Sequence, residues 1–122
     1  ERAEALLREM DAAITTRGRV ESAVTPVLHT GDVTMASIAA HLALSRQTLA
    51  RRLKSEGTTF EKLLDELRHR LALAYLGNSK VSVHQCAYLT GFSDPASFSR
   101  AFKRWTGSSP RTYKKAENAH SR

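Results

Sequence analysis

The chain has 122 residues, a single cysteine and a net charge of +7. That length allows one domain, or two small subdomains, with a core that needs no covalent staples. The lone Cys86 excludes an internal disulfide and fits a reducing compartment, and neither a membrane-spanning apolar run nor a signal-peptide pattern is read.

The charge is unevenly spread. Residues 33–58 hold four bases and one acid, residues 59–78 three of each, and residues 80–122 eight bases and two acids. Two basic blocks flank a neutral segment. Such an excess points to nucleic acid or an anionic membrane surface.

In chain order the pattern is helical throughout, with no sustained alternation that would signal a sheet. Ala5, Leu6, Leu7, Met10 and Ile14 form a first candidate helix, and Thr15 to Gly18 reads as a break. Val20, Val24, Val27 and Leu28 mark a second helix that Pro26 should kink or shorten. After a turn at Gly31-Asp32, Thr34 can cap a short helix with Met35, Ile38, Ala39 and Leu42 inward. Ser45 caps the next, with Leu49 and Leu53 inward. Thr58 and Glu61 read as a capping box opening a longer helix, with Phe60, Leu63, Leu64, Leu67, Leu71 and Ala74 along one stripe. Gly77-Asn78 should end it as a C-terminal cap. Ser82 and Gln85 form another box before Val83, Cys86, Ala87 and Leu89. Ser93 then caps a helix with Phe98, Phe102 and Trp105 on its buried stripe.

Two of these segments repeat. "VTMASIAAHLALSRQTLARRLK" from Val33 aligns with "VSVHQCAYLTGFSDPASFSRAFK" from Val81. The offset is 48 up to Ser45 and Ser93, and 49 from Leu49 and Phe98 onward. Each copy is a short helix, a turn and a longer helix, a candidate helix-turn-helix. Ala39 and Ala87 are the small residues that let the two helices cross closely. The turn asks for a residue that tolerates a left-handed backbone. Gly91 does so freely, while Ala43 in the first copy is less comfortable.

At 100° per residue, Gln47, Arg51 and Lys54 point away from Leu49, and Ala96, Arg100 and Lys103 point away from Phe98. Arg51 thus matches Arg100, and Lys54 matches Lys103. A helix of this size fits the DNA major groove, where arginine and glutamine bond base edges in pairs. Lysines and capping hydroxyls hold phosphates instead. The intervening helix of about 17 residues would span about 26 Å. That is the right order for two reading helices in major-groove segments about 34 Å apart.

These residues resemble the AraC/XylS family of bacterial transcription regulators. The resemblance is carried by "IAAHLALSRQTLARRLKSEGTTF" from Ile38 and "GFSDPASFSRAFKRWTGSSPRTYKK" from Gly91. The family pattern is met by Gly91-Phe92, Phe98, Phe102, Gly107, Pro110, Tyr113 and Lys114. It implies an all-α domain of about seven helices: two helix-turn-helix subdomains, residues 18–58 and 79–116, joined by a linker helix at 59–78. Residues 1–17 would be a linker or helix ending an N-terminal domain that lies before Glu1, and 117–122 a tail. The chain opens without methionine, so a piece of a longer protein is expected.

The resemblance further implies binding of promoter double-stranded DNA, usually activation through RNA polymerase, and control by an effector-sensing or dimerising domain. A regulator of metabolism or virulence is expected, cytoplasmic and nucleoid-associated, monomeric as this piece, with no membrane partner. Carried over by position, base readers would be Arg46, Gln47, Ala50 and Arg51 in the first copy, and Pro95, Ala96, Ser99 and Arg100 in the second. Thr34, Ser45, Lys54, Ser82, Ser93, Lys103 and Arg104 would hold phosphates. Pro95 and Ala96 carry no side-chain donors, so the first copy should dominate specificity and the second add affinity.

Two other classes compete. A basic helical module could meet acidic protein partners. Some DNA-repair alkyltransferases carry such a domain beside a reactive cysteine, but Cys86 falls on an apolar helix face without a flanking proline and histidine. The five histidines show no ligand spacing. No metal, cofactor or enzymatic activity is expected.

Overall fold

A computed structural model describes residues 3, 4, 6 and 15–120. Among the described residues, its elements from Thr16 onward are seven α-helices and one 3-10 helix, with no strand. They are α1 (Thr16–Val24), a 3-10 turn (Thr25–Thr30), α2 (Met35–His41), α3 (Arg46–Ser55), α4 (Phe60–Leu76), α5 (Val83–Leu89), α6 (Pro95–Thr106) and α7 (Pro110–His120). The candidate helix from Ala5 to Ile14 lies largely outside the described residues. The chain forms two compact units: Glu1–Val27 with Asp32–Asp65, and Leu28–Gly31 with Glu66–Arg122.

Unit 1 is built by α1, α2 and α3 around Val20, Val24, Ile38, Ala39, Leu49, Leu53 and the start of α4, where Phe60, Leu63 and Leu64 are buried. Each buried Val, Leu, Ile or Phe among them contributes roughly 1.5–3 kcal/mol by leaving water. The expected break at Thr15 to Gly18 is instead the start of α1. Thr15 is its N-cap and accepts from Gly18 N. The next two amides find a remote partner: Thr16 N and Arg17 N donate to the two Glu56 carboxylate oxygens at 2.9 and 2.8 Å. A carboxylate there also meets the positive end of the helix dipole. Pro26 does end the helix early, and the chain continues as the 3-10 turn, with Leu28 buried and Val27 exposed.

The cap of α4 is shifted by one residue from the expected box. Lys62 N donates to Thr59 Oγ1 at 3.2 Å, so Thr59 is the cap. Thr58 is buried, its hydroxyl donating to Thr59 O. The expected apolar stripe holds from Phe60 to Leu67 and then fails: Ala74 is exposed, while Ala72 and Leu76, off that stripe, are fully buried. Gly77 follows the last helical residue but has no positive φ. The ending is made by another group: Lys114 Nζ donates to Asn78 O at 2.9 Å and lies 3.5 Å from Leu76 O, a cation on the carbonyl end of α4.

Unit 2 packs Ala72, Leu76, Cys86, Ala87, Phe98 and Phe102 into one core, with Phe92, Trp105 and Tyr113 against it. The aromatic rings meet edge-on or tilted, Phe92 to Phe98 at 5.5 Å and Phe102 to Tyr113 at 5.5 Å, the geometry that ring quadrupoles favour. The Ser82–Gln85 capping box forms as expected. So the pattern residues from Phe92 to Lys114 make core and caps, and leave the outer side of α6 free for other work.

Candidate nucleic-acid interface

Both helix-turn-helix turns close in the same way. Leu44 N donates to Ala39 O at 2.9 Å, and Phe92 N donates to Ala87 O at 3.1 Å. The residues before them, Ala43 and Gly91, stand at φ 59° and 86°. Ala43 is the sole non-glycine with positive φ among the described residues, an arrangement that costs an L-residue roughly 1–2 kcal/mol. At Gly91 a Cβ would come within 2.4 Å of Leu28 O, so close packing as well as backbone conformation requires glycine.

In α3, Leu49 and Leu53 are fully buried while Arg46, Gln47, Ala50, Arg51 and Lys54 are all exposed. The five proposed contact positions therefore share the solvent side of one helix. Arg46, Ala50 and Lys54 also border a groove floored by Met35, Phe60 and Leu64. Ser45 caps α3 by accepting from Thr48 N at 3.1 Å. Thr34 caps α2 and forms a box with Ser37 that the spacing had not announced.

In α6, Phe98 and Phe102 are fully buried, and Pro95, Ala96, Arg100, Lys103 and Arg104 are exposed. Ser99 is half-buried. The Arg104 guanidinium lies 5.9 Å from the Trp105 ring centre, which holds its charge close to the helix. Ser93 is not the cap. Asp94 is, accepting from Ser97 N at 2.7 Å. Ser93 Oγ donates to Asp94 Oδ2 at 3.3 Å. Asp94 is thus the counterpart of Ser45, the offset of 49 already holds there, and Ser93 is the extra residue. Pro95 signals this, because proline prefers the first helical position and leaves the cap to the residue before it.

Two residues of this face escaped the sequence reading. Ser97 Oγ donates to Asp94 Oδ2 at 3.0 Å and accepts from Arg100 Nη2 at 3.2 Å. The Ser97 amide, then its hydroxyl, hold the Asp94 carboxyl below its ordinary range, with Ser93 and the Arg100 charge adding to them. Cys86, in contrast, is remote from any such chemistry. Its thiol is fully buried, 3.7 Å from Ala72 O, and burial pushes it up to about 12 against the opposing pull of Lys114. A thiolate nucleophile needs access and a lowered pKa, so this geometry weighs against the alkyltransferase reading. No helix among the described residues is long and apolar enough to cross a membrane.

The comparisons agree with this geometry. A family model described as a helix-turn-helix domain matches residues 38–116. The ornithine utilization regulator of Pseudomonas aeruginosa is 44% identical over 78 residues, covering 64% of this chain and 23% of that protein. The chain thus spans under a quarter of the length of that curated relative. Among solved structures, the DNA-binding domain of the global transcriptional factor AdpA, in complex with a target DNA, is 30% identical with a TM-score of 0.74, covering 87% of this chain and 96% of that one. A DNA-binding transcriptional dual regulator from Escherichia coli K-12 is 26% identical with a TM-score of 0.80, covering 86% and 94%. Fold, motif residues and relatives converge, and the chain belongs to the AraC/XylS family of transcription regulators as a helix-turn-helix domain.

Proposed function

We propose that this chain binds double-stranded DNA sequence-specifically through α3 and α6, as the DNA-binding part of a transcription regulator. One observation carries the reading: α3 exposes Arg46, Gln47, Arg51 and Lys54 together, without an acid, on the side opposite its buried leucines. Arg46, Gln47 and Arg51 read base edges by paired hydrogen bonds, with Ala50 beside them for apolar contact. Lys54 holds phosphate. On α6, Arg100 reads bases with Ala96 and Ser99 alongside, and Lys103 and Arg104 hold phosphate. Thr34, Ser45, Ser82 and Ser93 approach the backbone from the ends of their helices. A hydroxyl serves a phosphate as a donor, and two of these already donate within the chain, Ser45 Oγ to Thr48 Oγ1 at 2.9 Å and Ser93 Oγ to Asp94 Oδ2 at 3.3 Å, so each must turn its O–H away from that partner to reach a phosphate.

The subdomain limits proposed from the sequence, with a linker helix between two reading units, go with this reading. So do a bacterial cytoplasmic setting, activation through RNA polymerase, and control by an effector-sensing or dimerising domain. The test is selection of bound sequences from random duplex DNA at near-physiological salt. Two enriched blocks about one helical turn apart are expected. Binding that acidic proteins compete for and DNA does not would overturn the reading in favour of a protein-interaction module.

A further inference from the structure

The two reading helices open differently. α3 begins with the neutral cap Ser45 followed by Arg46. α6 begins with Asp94 followed by Pro95, which has no N–H to offer. The anion-attracting end of α6 is occupied by the chain's own carboxylate: Oδ1 takes the Ser97 amide, and Oδ2 takes the Ser97 and Ser93 hydroxyls. Through Ser97 the same carboxylate reaches Arg100. Arg51, the counterpart of Arg100, has no such tether to Thr48 among the described residues.

We infer that Asp94 is a specificity-determining and positioning residue: it holds Arg100 in place through Ser97, and its negative charge disfavours docking of α6 on phosphates alone. The inference rests on the proposed reading of α6 as a DNA-facing helix. A phosphate brought to the start of α6 meets a like charge at Asp94, where α3 presents the neutral Ser45 with Arg46 after it. Such a phosphate gains nothing from the Ser97 amide, which is already bonded. α6 therefore seats favourably only where a base edge accepts the Arg100 guanidinium and offsets that repulsion. An aspartate cap can also accept from a cytosine amino group, which works in the same direction.

The experiment compares the wild-type chain with Asp94→Asn, Asp94→Ser and Arg100→Ala, titrated against a random duplex pool and the duplex enriched from it, across a salt series. Asparagine and serine cap helices nearly as well as aspartate, so thermal midpoints should be close to wild type. If either variant folds poorly, the other carries the test. For both, binding to the random pool should tighten about fivefold, the enriched-to-random ratio should fall by a similar factor, and the salt dependence should steepen by up to about one unit of slope. A purely structural cap, which asparagine or serine replaces, would leave the midpoint, the ratio and the slope all close to wild type. If the ratio and slope are unchanged while Arg100→Ala weakens binding to the enriched duplex, this inference is overturned and the DNA-facing role of α6 stands. If Arg100→Ala has no effect either, or no duplex is enriched, the reading of α6 falls and the inference with it.

Discussion

Ala43 and Gly91 occupy one turn in two copies, and they differ by a methyl group. Ala43 accepts a strained backbone, so Ala43→Gly should stabilise unit 1 by about 0.5–1 kcal/mol, the left-handed penalty less the entropy that glycine brings to the unfolded chain. Gly91→Ala should destabilise unit 2 by at least about 2 kcal/mol, because the new methyl strains φ and also meets Leu28 O. Chemical denaturation of the two variants checks both signs. The turn was readable in advance because its requirement is local. The cap of α6 was not read correctly, because aligning Ser45 with Ser93 matched residue types, whereas the backbone matches Ser45 with Asp94. At the reading face, Arg51→Ala should cost about 1–3 kcal/mol of discrimination between enriched and random duplexes. Arg100→Ala should cost less discrimination, since Pro95 and Ala96 give α6 fewer donors. Competition binding with both variants measures the difference, and a larger loss of specificity from Arg100→Ala would reverse the ranking.

Helix ends divide into those fixed nearby and those fixed from afar. Ser45, Ser82 and Thr34 cap within three residues, and that spacing is visible in a sequence. Glu56 caps α1 from 40 residues away, and Lys114 closes α4 across 36; no local pattern carries such pairs. Glu56→Ala should therefore destabilise unit 1 by about 1 kcal/mol, the usual cost of losing a cap, as read by thermal melting. The stripe of α4 was legible only to Leu67 because a single 3.6-residue period cannot follow a helix whose buried side changes along its length. Acid should act on α6 through its cap. The Asp94 carboxyl is lowered by folding, so its contribution is present above the ordinary carboxylate pKa and lost as pH falls through the folded value. Asp94→Asn should flatten the acid limb of the stability curve below about pH 4, measurable by melting across a pH series.

The all-helical architecture, the duplicated unit and the basic faces were legible because they rest on periodicity and on an internal repeat, which hold over many residues. Binding by such a molecule should be steeply salt-dependent. Replacing Lys54 by alanine should weaken binding to enriched and random duplexes alike and reduce the salt slope by about one, as loss of a phosphate contact does. A drop confined to the enriched duplex would instead make Lys54 a base reader. The molecule also carries its own clock. Its one cysteine is sealed in the core of the second unit, and unit 1 has none. A thiol reagent can capture Cys86 only in the moments when that core parts, so the labelling rate counts openings of one half of the protein while ignoring the other. Adding DNA and watching that rate slow would time how firmly DNA holds the unit that carries α6, without any tag or substitution.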